Sequence, residues 1–218
     1  MRAAIYYAPA ADDPLWLAGC QWLGRDPEST KDCAQPDVAG LHDATCSPRR
    51  YGFHATLKPP ITLAHGLDRF IDDLRAVVSH VRPFAAPTLA VARIDGFVAL
   101  VEATPSARLR AIADRCVIEM DHHRVPETPD QIARRSVGLD PTATTYLTRF
   151  GYPYVLDKWR FHMTLTERLP ACDPIEAAAR RHFTACCAME RSIDGLAVYV
   201  EQEPGAAFDV VARVAFGG

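Results

Sequence analysis

The sequence predicts an α+β fold of two lobes, internally duplicated, with two antiparallel sheets flanking a central cleft and helices on the outer faces. Three observations carry this. The phrase Phe53-His54-Ala55-Thr56-Leu57 returns as Phe161-His162-Met163-Thr164-Leu165, with four of five positions identical. With 8 His in 218 residues, a single H-x-T flanked by Phe and Leu is expected by chance well under about once in a hundred such chains. The segments that follow keep the same spacing: Gly66 and Asp173 open helices 12 and 11 residues after the motif His, and a Leu-Ala-Val triplet follows at 35 and 34 residues (Leu89, Leu196). Each half then ends on two strands joined by a tight turn, Asp95-Gly96 or Pro204-Gly205, a pattern of antiparallel hairpins rather than regular βαβ alternation.

The elements follow in order. Arg2–Ala8 reads as a strand, and Asp13-Pro14 as N-cap and first residue of a helix that Gly24 ends. Residues 25–48 are polar and irregular, with a short helix near Val38–Leu41. Residues 50–58 form the first motif strand. Leu67, Phe70, Ile71, Leu74, Val77, Val78 and Val81 make the apolar stripe of an amphipathic helix. Strands follow at 89–94 and 97–103, and Thr104-Pro105 opens another helix. Thr128-Pro129 and Asp140-Pro141 start two short helices, so 128–150 is a helical connection. The second motif strand spans 159–166, a helix begins at Asp173-Pro174, and strands occupy 196–202 and 208–216. The domain expectation is one two-lobed unit over 1–218. Its lobes are approximately 50–125 and 155–218, with the N-terminal strand 2–8 a candidate member of the second.

Composition narrows the function. At 49% hydrophobic the chain can build a sizeable core. Its net charge of −3 and pI of about 6.2 lack the basic excess of proteins that grip long nucleic acid, so a small ligand is the expected partner. Seven cysteines (20, 33, 46, 116, 172, 186 and 187), odd in number and without C-x-x-C, point to reduced thiols in the cytoplasm. No apolar run approaches the length of a membrane span, and the first nine residues make a poor signal peptide. Oligomeric state is not encoded in any of these features.

Alternation along a strand places Phe53, Ala55 and Leu57 on one face and Arg50, His54, Thr56 and Lys58 on the other. Phe161, Met163 and Leu165 oppose Arg160, His162, Thr164 and Thr166 in the same way. One face packs on helices and the other presents two His and two Thr to the cleft. Imidazole near neutral pH takes a proton from water or gives one to a departing oxygen, and Thr hydroxyls donate to oxygens that gain charge. His54, His162, Thr56 and Thr164 are therefore the candidate catalytic residues. Lys58, Arg50 and Arg160 are the candidate cations for substrate, and Tyr51 and Tyr154 candidate stacking residues. His122-His123 has no spaced carboxylate or Cys partner, so no metal or other cofactor is expected.

The paired H-x-T strands resemble the 2H phosphoesterase superfamily. The longer stretches around Arg49–Pro60, Gly151–Thr166 and Pro14–Pro27 resemble a bacterial branch of it associated with phosphonate-metabolism genes. The resemblance implies a bilobal fold and metal-independent two-histidine chemistry carried by His54, Thr56, His162 and Thr164. It implies a cyclic phosphodiesterase, with a ribose cyclic phosphate as a candidate substrate. Two alternatives stand beside it: an RNA-end enzyme (2′,3′-cyclic phosphodiesterase or 2′–5′ RNA ligase) and a non-catalytic nucleotide- or RNA-binding module. The near-symmetry of the halves leaves open which His is the base.

Overall fold

The computed structural model describes residues 1–170 and 173–217; Cys172, expected as a reduced thiol, lies outside them. In chain order the elements are β1 (Arg2–Tyr7), α1 (Pro14–Leu23), a short pair β2 (Arg25–Asp26) and β3 (Lys31–Asp32), α2 (Leu41–Ala44), α3 (Cys46–Tyr51), β4 (Ala55–Thr62), α4 (Leu67–Val78), β5 (Phe84–Ala85), β6 (Leu89–Ile94), β7 (Phe97–Glu102), α5 (Ala107–Glu119), α6 (Pro129–Arg135), α7 (Pro141–Phe150), β8 (His162–Thr164), α8 (Asp173–Ala188), β9 (Ser192–Ile193), β10 (Gly195–Glu201) and β11 (Asp209–Ala215). Among these residues no helix is long and apolar enough to cross a membrane.

Local chemistry explains most boundaries. Asp13 caps α1 by accepting from Leu15 N at 2.7 Å. Gly24, at φ +80°, closes that helix by donating to Cys20 O and Gln21 O. Thr128 and Gln131 form a reciprocal capping box on α6. Ser106, rather than Thr104, caps α5. Asp95 and Gly96 both adopt positive φ, as the tight β6–β7 hairpin requires. The stripe on α4 buries Phe70, Ile71, Leu74, Val77 and Val78 against β11 and α5.

The fold class is as expected, α+β with antiparallel pairing, but the strands group differently. Among the described residues seven strands form one ladder in the order β11-β10-β1-β4-β8-β7-β6. Each motif strand pairs with the strand that begins the preceding strand–helix unit, β4 with β1 and β8 with β7. The recurring unit is therefore strand, helix, irregular segment, motif strand, helix. The β6–β7 hairpin, expected beside the first motif, lies beside the second, and β10–β11 joins the first through β1. Spacing along a chain reports element order but not which edge a hairpin finds, and here the open edge of β7 takes the second motif. The two expected sheets meet edge to edge at one pair, Ala55–Met163.

The first motif strand, expected over 50–58, starts later and runs on to Thr62, while the second is shorter than expected. Residues 46–51 are helical, and Gly52 at φ +75°, ψ 178° turns the chain from α3 toward β4. A Cβ there would stand 2.6 Å from Pro27 Cγ, so glycine is required for the close approach as well as for φ. The second motif strand contracts to three residues behind a 3₁₀ turn over 156–158. The apolar faces behave as expected: Phe53, Ala55, Leu57, Phe161, Met163 and Leu165 are all buried. Phe53 lies beneath α1 and stacks on Phe183 of α8, ring centroids 6.2 Å apart.

Gly19 of α1 has no room for a side chain, because an added Cβ would collide with the Phe53 ring. Gly→Ala inside a helix ordinarily stabilises by roughly 0.5–1 kcal/mol. Here overpacking costs about 1–3 kcal/mol, so Gly19→Ala is expected to lower stability by about 1–2 kcal/mol in urea unfolding. A more stable variant would contradict this packing.

Candidate active site

The Ala55–Met163 pair determines the site. In an antiparallel ladder each step forward on one strand is a step back on the other. His54 therefore lies across from Thr164, and Thr56 across from His162. Ala55 and Met163 are fully buried, so these four neighbours lie on the opposite side of the ladder, where His54, Thr56 and Thr164 line the cleft and His162 is not among its lining residues. Directly paired residues hold their Cβ atoms about 4.5–5.5 Å apart, close enough for both side chains to reach one group above the pair. Each histidine thus faces the threonine of the other motif.

Both imidazoles are oriented by the same local device. His54 Nδ1 lies 2.9 Å from Gly52 O, and His162 Nδ1 lies 2.9 Å from Arg160 O. A carbonyl only accepts, so each Nδ1 carries hydrogen and each Nε2 offers its lone pair. His54 Nε2 is 3.2 Å from Thr56 Oγ1. Tyr6 stacks on the His54 ring at 3.7 Å and 17°, and Tyr199 flanks it at 5.9 Å. Phe97 lies 5.7 Å from the His162 ring.

These surroundings move both pKa values down. Burial pulls His54 to about 4, opposed by the Gly52 carbonyl and reinforced by His162. Burial also lowers His162; the Arg160 carbonyl and Asp95 oppose this and the Arg160 charge adds to it. Both rings are therefore neutral at pH 7 until an anion arrives.

A cleft of about 770 Å³ opens over the motifs, lined among others by His54, Thr56, Thr164, Tyr6, Tyr51, Tyr152, Arg124, Arg135 and Arg168. That volume falls in the range of small-molecule sites. Of the expected substrate residues only Tyr51 lines it, stacked on Phe208 with centroids 5.1 Å apart. Lys58 does not. Between Ile5–Lys58 and Tyr6–Thr56 the register slips by one residue, a bulge that inverts the alternation beyond Thr56. Its side chain is 1% exposed, with Nζ donating to Val117 O at 3.1 Å and lying 3.4 Å from Asp121. Arg50 sits on α3, paired with Glu201 and donating to Ala206 O at 3.0 Å. Arg160 is exposed and contributes its carbonyl to His162. Tyr154 is exposed and stands edge-on to Tyr152 at 5.7 Å; Tyr152 is the one that reaches the cleft.

Several cations around the cleft and the motifs are paired with acids. Arg124 is bidentate to Asp121 at 2.9 Å, Arg135 pairs with Glu127, and Lys158 with Asp140 at 2.8 Å. Sequence reasoning missed Tyr6, Arg124 and Arg135 because they arrive from other segments. For Tyr6 the pairing of β1 with β4 is the signal, and it exists only in three dimensions.

Comparisons with known proteins extend the picture. The family model described as "Protein of unknown function (DUF1045)" matches residues 56–209. A Janthinobacterium sp. (strain Marseille) protein named ribose 1,5-bisphosphate phosphokinase PhnN is 36% identical over 231 residues, covering 100% of this chain and 51% of that protein. The protein of the same name from Laribacter hongkongensis (strain HLHK9) is 34% identical over 214 residues, covering 95% and 50%. The chain spans about half the length of the curated relatives it matches. Crystal structures of E. coli LigT complexed with ATP and with 3′-AMP align over 100% of this chain and 98% of theirs, at 10% and 12% identity and TM-scores of 0.46 and 0.47. A likeness that distant transfers no reaction.

The depressed His54 pKa links to stability. The unfolded chain protonates this residue at an ordinary 6.5 and the folded chain only at about 4. Its contribution is complete above 6.5 and is lost as pH falls toward 4. The urea midpoint of the wild type is expected to fall more steeply across that window than that of His54→Phe; equal slopes would contradict the assigned burial.

Proposed function

We propose that this chain, which belongs to the DUF1045 family, is a two-histidine phosphodiesterase that hydrolyses a small cyclic phosphate without a metal ion. The observation that carries this is the crosswise His–Thr pairing set by Ala55–Met163. His54, Thr56 and Thr164 line the cleft, and His162 is near enough to act on the charge of His54, which supports one shared phosphate. Each imidazole has its Nδ1 turned to a backbone carbonyl and its lone pair on Nε2, so the pair can carry general acid–base chemistry.

The roles divide by environment. His54, held at about 4, is the base: its Nε2 takes a proton from water as the water oxygen bonds to phosphorus. His162, whose lowering by burial is opposed by the Arg160 carbonyl and Asp95 and by the bound phosphate, is the acid: its Nε2 gives a proton to the ribose oxygen as the P–O bond breaks. Thr56 and Thr164 donate to the non-bridging oxygens. One water is consumed, and proton exchange with solvent restores both rings.

The relatives suggest the sugar. This chain has no G-x-x-x-x-G-K-[ST] loop, so the phosphokinase named for the longer relatives is assigned to their other half. Breaking the bond to O2 in a 5-phosphorylated ribose 1,2-cyclic phosphate yields ribose 1,5-bisphosphate, the compound in that name. A ribose cyclic phosphate is therefore the first substrate to test.

A panel of ribose 1,2-cyclic phosphates, nucleoside 2′,3′-cyclic phosphates and RNA ends, assayed with chelator, identifies the substrate. His54→Ala and His162→Ala are each expected to lose about 10²–10⁴-fold in kcat. Near-wild-type turnover by either variant, or loss of wild-type turnover on chelation, would overturn the mechanism. The kcat/KM profile should rise through about pH 4 as His54 deprotonates. It should fall again below the ordinary histidine value as His162 deprotonates; a maximum above pH 8 would contradict the lowering of both rings.

A further inference from the structure

Adjacent histidines at 122 and 123 lack a metal-like partner in sequence, and the fold supplies one from 49 residues upstream. Asp73, on the outer part of α4, places Oδ2 3.1 Å from His122 Nε2 and 2.9 Å from His123 Nε2. One ligand atom from each residue lies within 4.8 Å of the others.

The His122 ring shows that the arrangement needs a cation. Its Nδ1 lies 2.9 Å from Glu119 O. A carbonyl only accepts, so Nδ1 bears hydrogen and the Nε2 of the neutral ring bears a lone pair. That lone pair would face a carboxylate oxygen, acceptor against acceptor, so either a proton on Nε2 or a metal ion must join the two. A second ring nitrogen donating to a backbone carbonyl is the orientation that metal-ligating histidines adopt. His123, fully buried, makes its side-chain hydrogen bond to Asp73 while its Nδ1 has no partner among the described residues. Its ring packs edge-on against Phe70 at 5.2 Å. Its backbone is held by Ala64 N donating to His123 O at 2.8 Å. Arg69 reaches the same Asp73 oxygen at 3.8 Å from an exposed position and is the charge an ion would displace.

We propose that Asp73, His122 and His123 form a binding site for a divalent metal ion of the zinc class, outside the H-x-T cleft. Two imidazoles and one carboxylate suit such an ion, and the partial exposure of His122 and Asp73 leaves a position for water. The ion clamps α4 to the 121–124 turn. That turn leads directly into Arg124 and Val125 on the cleft wall, so the site fastens the wall without entering the chemistry.

The test uses the full chain without a polyhistidine tag, titrated with Zn²⁺ by calorimetry and with Co²⁺ by visible absorption. About one equivalent is expected to bind, with Tm rising roughly 5–10 °C at a hundredfold excess over Kd. Asp73→Ala and His122→Ala, both at partly exposed positions, should bind at least about tenfold more weakly and lose the Tm rise. Absence of binding up to about 1 mM ion would mean that a proton alone occupies the gap and would overturn the proposal. Binding that survives both substitutions would place the ion on the thiols and would also overturn it. Turnover of Asp73→Ala with and without chelator tests the catalytic reading separately, since that variant lacks the clamp.

Discussion

One cross-strand pair, Ala55 with Met163, sets the whole site. Because the side-chain period of a strand is two, a slip of one residue would bring Phe53 or Phe161 into the cleft and bury a histidine. So short a contact needs outside support, and aromatic side chains provide it. Trp159 Nε1 donates to Thr56 O at 2.8 Å, Trp22 Nε1 to Leu165 O at 2.9 Å, and Tyr199 Oη to Phe53 O at 3.1 Å. Each buries a large apolar body and satisfies a motif carbonyl that the ladder leaves free. The bond from Trp159 is the most telling, since it ties the approach to one motif directly to the backbone of the other.

The same packing tunes the chemistry. Tyr6 and Tyr199 remove water from the His54 ring while the Gly52 carbonyl fixes its tautomer. Stability and proton affinity are thus coupled through the same contacts. The cations near the cleft mostly hold acids of their own: Arg2 pairs with Glu201 at 2.5 Å and Arg124 with Asp121 at 2.9 Å. On the proposed reading, recognition rests on shape, hydroxyls and imidazoles more than on a raw positive field, consistent with a net charge of −3.

Sequence legibility followed the range of the interaction. Asp13, Pro14 and Gly24 bound α1 through contacts a few residues long, and the stripe from Phe70 to Val78 is a local period; both were readable. The faces of the motif strands were readable for the same reason, up to Thr56. Lys58 was misplaced because the bulge beyond Thr56 depends on how β1 pairs with β4, and Arg50 because Gly52 ends a helix where alternation suggested a strand. Tyr6 beside His54 and Asp73 beside His122 are joined across 48 and 49 residues, and nothing in local pattern marks such meetings. The strand partners of each motif belong to the same class.

The order of strands has a consequence for how the chain is made. β1 lies between β4 and β10, and β10 is about 190 residues downstream of it. At ribosomal rates of about 5–20 residues per second, that edge of β1 waits on the order of ten to forty seconds for its partner. During this time nascent β1 exposes a strand of buried-type residues, Ala3-Ala4-Ile5-Tyr6-Tyr7, to any chaperone or neighbouring chain that can pair with it. The part of the sheet formed by β6, β7 and β8, contiguous with its helices from β6 to α8, can condense meanwhile. The emergence of Gly195–Glu201 is thus the step that closes the molecule and ends its exposure to aggregation.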